Sequence, residues 1–223
     1  MTQNTIIHIR FLGHACLLLT APDQTTLLID PYNPGGFGGK MGYGPIPYLA
    51  DFVVCTHDHV DHCAINDLPT PHPQTIHDGP AGEFQIDRFQ AAHDEYEGRR
   101  RGGMVDILRI KTGRLTMVHL SDVGHSPSGE LLDAIGPVDL LFVPVGGYFT
   151  IGAAQAREWC QRTGARLIFP IHYRTTRCTL PLLPLQTFTS QGFAVIMQQD
   201  SVIAINYDLL SFEQQVVVLE PQL

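Results

Sequence analysis

The stretch Thr56-His57-Asp58-His59-Val60-Asp61-His62 sets three histidines and two carboxylates within six residues, directly after the apolar, strand-like run Phe52-Val53-Val54-Cys55. So many metal-binding side chains on one turn constrain the fold. The strand must end where the turn can meet further ligands, and those ligands must come from other parts of the chain.

A reading of the remaining pattern finds such ligands. Ile6 to Leu12, Ala15 to Thr20, Thr25 to Asp30, Phe52 to Cys55, Glu83 to Ala91, Val105 to Ile110 and Arg114 to Leu120 read as strands bounded by Gly, Pro, Asn or Asp. Further strands are expected at Arg166 to Pro170, Ala194 to Met197, Val202 to Asn206 and Val216 to Leu219. Helices are expected at Ile151 to Thr163, with Thr150 as N-cap and Gly164 as C-cap, and at Leu182 to Ser190, ended by Gly192. On this map His57, His93, Asp122 and His172 each follow the carboxyl end of a strand run. If those ends share one rim, the four groups converge. Strands with late, interleaved helices suggest two sheets with helices outside.

Imidazole and carboxylate without thiolate suit Zn, Fe or Mn in an open catalytic site, whereas a closed structural zinc site normally recruits cysteines. Seven candidate ligands exceed one tetrahedral ion and suit two ions sharing a carboxylate, an arrangement that supplies a hydroxide nucleophile at neutral pH.

Composition narrows the function classes. With 223 residues, 44% hydrophobic and 16% charged, the chain suits one globular domain, residues 1–223. A formal charge of -8 disfavours a nucleic-acid or anionic-membrane surface. The five cysteines form no CxxC pair and read as reduced, mostly buried thiols. Met1 to Thr5 lacks a basic leader pattern and no apolar run is long enough to cross a bilayer, so a cytoplasmic location is expected. The apolar tail Val216 to Leu219 suggests an edge strand used in homo-oligomer assembly.

His57-Asp58-His59-Val60-Asp61-His62 matches an HxHxDH signature. It is accompanied in order by Phe11-Leu12-Gly13-His14-Ala15, Leu28-Ile29-Asp30-Pro31, Ser121-Asp122-Val123-Gly124, Val145-Gly146-Gly147-Tyr148-Phe149-Thr150 and Pro170-Ile171-His172-Tyr173. This set resembles the metallo-β-lactamase superfamily, and within it small bacterial metal-dependent hydrolases related to the L-ascorbate-6-phosphate lactonases. The resemblance implies an α/β fold, an αββα sandwich of two mixed sheets face to face with helices on the outer sides. It implies that His57, His59 and His93 hold a first metal, that Asp61, His62 and His172 hold a second, and that Asp122 bridges. His72 and His77 compete with His93; the position of His93 directly after a strand run favours it. The cofactor expected is two divalent ions, zinc first, with Mn, Fe or Ni as alternatives.

Other residues carry divided readings. His14 is either a substrate contact or a hydrogen-bonded structural residue. Asp30 is expected to orient a ligating histidine or the motif backbone rather than to bind metal. His119 is expected in the core, His125 over the site, and His8 as a plain strand residue. Cys63 reads as a buried helix-start thiol. Arg99-Arg100-Arg101 is either an anion clamp or a solvated turn, with Lys40, Arg174 and Arg177 as other anion contacts. The glycine-rich run 34–40 lacks a phosphate-loop context and reads as a mobile loop near the site.

The expected activity is metal-dependent hydrolysis of a small ester or lactone, an anionic one included, with Asp61 orienting the nucleophile. Two alternatives stay open: a phosphodiesterase or nuclease on the same scaffold, and a non-hydrolytic di-iron or metal-binding protein.

Overall fold

The computed structural model describes residues 6–100 and 102–223. Two sheets form it. The first has six strands: β1 (Ile6–Gly13), β2 (Cys16–Thr20), β3 (Thr26–Ile29), β4 (Phe52–Val54), β5 (Gln74–Thr75) and β13 (Val202–Asn206), in the order β13-β1-β2-β3-β4-β5. The second has eight: β6 (Gly79–Ala81), β7 (Phe84–Ala92), β8 (Met104–Thr112), β9 (Leu115–His119), β10 (Leu140–Pro144), β11 (Leu167–Ile171), β12 (Ala194–Met197) and β14 (Gln215–Val218), in the order β12-β14-β11-β10-β9-β8-β7-β6. Both are mixed: β3, β4 and β5 run parallel in the first, and β9, β10, β11, β14 and β12 in the second.

The period of two along β1 to β3 explains the layering. Ile7, Ile9, Leu17, Leu19, Leu27 and Ile29 belong to the large core between the sheets. The opposite-facing Leu12, Cys16, Leu18 and Leu28 pack in a second cluster with Tyr32, Met41, Tyr43 and Leu180. Irregular chain therefore covers this outer face, with a single 3-10 turn at Ile65–Asp67. The helices α1 (Gly129–Ile135), α2 (Ala153–Thr163) and α3 (Gln186–Thr189) accompany the larger sheet, α2 against β10 and α3, α1 against β7. No helix of the described residues is long and apolar enough to cross a membrane.

Four expectations need correction. α2 begins at Ala153 with Gly152 as N-cap, because Gln155 Oε1 accepts from Gly152 N and Thr150 is held in the preceding turn by its contact with Gly147. The later helix shrinks to α3, since Pro181 and Pro184 keep 181–184 from closing helical turns. The apolar tail is internal: β14 lies between β12 and β11, so Val216, Val217 and Val218 are buried by this chain. The cysteines are not all reduced, because Cys55 and Cys63 form a disulfide while Cys16, Cys160 and Cys178 remain free and buried.

That disulfide joins the residue before Thr56 to the residue after His62. Closing so short a loop contributes about 2–3 kcal/mol by restricting the unfolded chain. Alkylation of the unfolded, unreduced protein is expected to label three cysteines and, after reduction, five. Five labels without reduction would show the pair open.

Candidate metal centre

Strand ends on both sheets supply the site. β4 stops at Val54 and the chain turns through Thr56 to His62, with His62 N and Cys63 N both donating to His59 O. Asp30, directly after the neighbouring β3, holds that turn. Its Oδ1 accepts from Thr56 N at 2.8 Å, and its Oδ2 accepts from Thr56 Oγ1 and His62 Nδ1, each at 2.8 Å. Because the carboxylate can only accept, His62 Nδ1 carries a proton, which leaves Nε2 as the nitrogen facing the rest of the cluster. The Thr56 hydroxyl proton is likewise committed to Asp30, so its oxygen receives the Nδ1 proton of His57 at 2.9 Å. Asp30 thereby sets the tautomer of His62 directly and of His57 through Thr56.

The other groups arrive after β7, β9 and β11. One ligand atom each from His57, His59 and His93 lies within 4.8 Å of the others, and the same holds for His14, Asp61, His62 and His172 and for His57, His62 and Asp122. Asp122 stands between them: its Oδ2 is 3.5 Å from His93 Nε2 and 3.3 Å from His172 Nε2, and its Oδ1 is 3.3 Å from His62 Nε2. His62 Nε2 and Asp122 Oδ1 are buried without hydrogen-bond partners among the described residues, although they are near each other. Such atoms cost about 1–3 kcal/mol each when left unmet. A divalent cation between imidazole nitrogens and a carboxylate oxygen would satisfy both, so the donor set fits a metal.

Charge is concentrated here. Burial alone would raise the carboxyls, but His172 and His62 hold Asp122 well below its ordinary range, and His62 and His14 do the same for Asp61. Burial, with His62 alongside, pushes His57 down to about 3, and burial with His172 pushes His14 down to about 4 despite Asp61. His62 goes the other way: burial opposes its charge, yet Asp122, Asp61 and Asp30 raise it well above 6.5. This raised value stabilises the metal-free fold fully below pH 6.5, and the contribution is lost as pH climbs through the folded-state value. Were a metal ion to bind at His62 Nε2, it would displace that proton, so release of about one proton per chain is expected on adding zinc at pH 7. Calorimetry in buffers of different ionisation enthalpy measures it, and zero release would contradict a protonated His62.

The backbone carries strain at the same place. His14, Asp30, Ser121, Tyr148 and His172 adopt positive φ of 55°, 48°, 55°, 60° and 52°. Each costs of order 1–3 kcal/mol and turns a side chain at a strand end toward the rim. Two glycines allow close approach. A Cβ on Gly124 would lie 2.3 Å from His93 O, and one on Gly146 would lie 2.3 Å from His172 O.

His93 stands in the cluster, while His72 and His77 are exposed elsewhere. His14 is more involved than expected: it is 1% exposed, its Nε2 is 3.2 Å from Asp61 Oδ2, and its carbonyl accepts from His172 N at 2.7 Å. Ser121, quoted in a landmark segment but given no role of its own there, brings its Oγ to 3.5 Å from His57 Nδ1. No sequence periodicity marks it; only its place beside Asp122 could have drawn attention. His119 is buried against Ala15 O and His8 is an exposed strand residue. His125 braces the approach to His93, its Nε2 accepting from Ala92 N at 3.3 Å.

Among the described residues the expected anion contacts do not assemble over the cluster. Asp94 accepts from the backbone N of Tyr96, Gly98 and Arg100, folding Arg99 and Arg100 into a surface turn where Arg99 pairs with Glu97 and Arg100 stacks 3.7 Å over Tyr96. Arg101 lies outside the described residues. Arg174 is exposed, and neither it nor Lys40 nor Arg177 lines the cavity over the cluster. That cavity, of about 590 Å³, reaches Asp61, His59, His93, Asp122 and His172 at its floor.

A family model described as a Beta-lactamase superfamily domain matches residues 8–172. A relative named UPF0173 metal-dependent hydrolase from Methanoregula boonei is 28% identical over 195 residues, covering 76% of this chain and 83% of its own. One of the same name from Thermococcus kodakarensis is 27% identical, covering 76% and 86%. Among solved structures, a candidate Zn-dependent hydrolase of the metallo-beta-lactamase superfamily from Thermotoga maritima aligns with a TM-score of 0.71 at 25% identity, covering 96% of this chain and 98% of its own.

Proposed function

This chain belongs to the metallo-β-lactamase superfamily, and from that premise we propose that it is a hydrolase of small esters or lactones that works with two divalent ions, zinc foremost. One observation carries the reading: two histidine-rich clusters, His57/His59/His93 and Asp61/His62/His172, flank a single buried carboxylate, Asp122, from which both are within reach. Bound there, the ions would supply an acidified water and a Lewis acid for a carbonyl oxygen.

The chain's own residues do the rest. Asp61 Oδ2 is poised to orient the attacking water and to take up its proton, held in place by His14 Nε2 at 3.2 Å. Asp30 and Thr56 keep His62 and His57 in the tautomers that present Nε2 inward. The buried floor excludes bulk water from Asp122 and His172, which are 2% and 1% exposed, so charge changes at the reacting carbon are felt strongly there.

Elemental analysis of zinc-reconstituted protein should find two metals per chain, with hydrolysis of γ-butyrolactone or p-nitrophenyl acetate lost on chelation and regained on zinc addition. Turnover of bis-p-nitrophenyl phosphate in preference to both would favour a phosphodiesterase. Iron as the metal of the purified protein, with no hydrolysis of any of the three, would favour a redox role.

A further inference from the structure

One buried histidine stands outside the metal cluster yet touches both sides of its frame. His119 ends β9, is fully buried, and engages backbone with both ring nitrogens. Its Nδ1 accepts from Ser121 N at 3.1 Å, and its Nε2 lies 3.1 Å from Ala15 O. An amide N–H can only donate and a carbonyl can only accept, so the ring carries one proton, on Nε2. Burial acts in the same sense, holding the imidazole below its ordinary 6.5 and therefore neutral.

The two bonds reach turns from opposite sheets. Ser121 directly precedes Asp122 in the turn after β9, where Val123 N donates to Leu120 O and Gly124 N donates to Ala92 O, beside His93. Ala15 directly follows His14 in the β1–β2 turn, where His14 O accepts from His172 N at 2.7 Å and His14 Nε2 meets Asp61 Oδ2. A closed circuit results. It runs from Asp122 through Ser121, His119, Ala15 and His14 to His172, and returns across the 3.3 Å between His172 Nε2 and Asp122 Oδ2. Both turns are strained, since Ser121 and His14 each hold φ at 55°, a conformation that persists only where the surroundings impose it. Without the Nδ1 acceptor, Ser121 N is buried and unmet, so residue 121 is free to relax to negative φ and to carry Asp122 with it.

We propose that His119 is a positioning residue for the metal centre: it clamps the turn after β9 to the β1–β2 turn, its Nδ1 fixing the reach of Asp122 and its Nε2 fixing His14. The inference rests on the metal-centre reading for the ions and on the two hydrogen bonds alone for the clamp. His119 itself is no ligand, because both nitrogens are occupied and, among the described residues, it joins none of the clusters of ligand atoms.

Asparagine and glutamine divide the clamp. In His119→Asn the amide oxygen replaces Nδ1 and keeps the Ser121 bond, in His119→Gln the amide nitrogen replaces Nε2 and keeps the Ala15 bond, and His119→Leu loses both. Each protein is loaded with Co(II), whose visible ligand-field absorption reports its ligand set, and zinc affinity is measured by competition with a chromophoric chelator. Asp122→Ala supplies the spectrum of a centre without that carboxylate. Phe142→Leu, a core change on the neighbouring strand, supplies a loss of stability with the clamp intact. His119→Leu and His119→Gln are expected to lose zinc affinity about tenfold and to give the Asp122→Ala spectrum, whereas His119→Asn keeps the wild-type spectrum. Melting curves check folding, and if His119→Leu fails to fold the asparagine and glutamine variants decide between themselves. A wild-type spectrum and affinity in His119→Leu or His119→Gln overturns the clamp, and so does an equal metal loss in Phe142→Leu at matched melting temperature. The Asp122→Ala spectrum in His119→Asn overturns the role given to Nδ1. Wild-type protein that binds cobalt but hydrolyses no ester fails the hydrolase reading and leaves the clamp standing; one that takes up no metal fails the metal centre and the clamp together.

Discussion

Replacing His57 and His59 together by alanine is expected to strip the protein of most of its zinc and to lower hydrolysis by at least about 100-fold, a loss already associated with disturbing one supporting partner of a ligand. The fold should survive. Neither residue is fully buried, neither belongs to either hydrophobic core, and the disulfide and the Asp30 contacts to Thr56 and His62 remain to hold the turn. Elemental analysis, a turnover assay and a melting curve measure the three effects separately. Full metal content and activity in the double variant would sink the assignment of this turn as a metal site.

Asp30→Ala should have the largest effect on stability. The carboxylate is fully buried and accepts three hydrogen bonds, so its removal leaves Thr56 N, Thr56 Oγ1 and His62 Nδ1 unmet. Breaking such a buried pair costs about 3–5 kcal/mol. In a chain of this size that lowers the melting temperature by roughly 10 °C. Asp30→Asn distinguishes orientation from stability. Its shape is kept, but an amide NH₂ aimed at His62 Nδ1 forces the ring proton onto Nε2, where it blocks a metal. The asparagine variant should therefore melt closer to the wild type while losing zinc affinity about 10- to 100-fold. Equal zinc affinity in the two proteins would show that the tautomer does not depend on Asp30.

Local pattern carried much of the fold. Alternating apolar residues marked β1 to β3, and glycine marked the end of α2, where Gly164 sits at φ 64°. β10 escaped notice for the opposite reason: Leu140 to Val143 are buried on both faces at the centre of the larger sheet, so the run shows no alternation. The short helix α1 was missed too, although Ser128 caps it by accepting from Leu131 N. Seven residues carry too few apolar positions to show a helical period.

What the sequence determined by itself was the chemistry on offer: which side chains could bind cations, in what order they occur, and that their segments follow strands. Tertiary structure decided how they combine. Only the meeting of strand ends sets Asp122 among His62, His93 and His172, draws His14 to Asp61, and lets Asp30 reach across to both Thr56 and His62. Folding also closed Cys55 on Cys63 and left Arg99 and Arg100 outside the lining of the cavity that Phe37 and Tyr148 border. The reason is one of range. Strand and turn preferences act over a few neighbouring residues, whereas a ligand's partners and the character of a cavity wall arise from contacts between segments far apart in the chain, which local pattern does not encode.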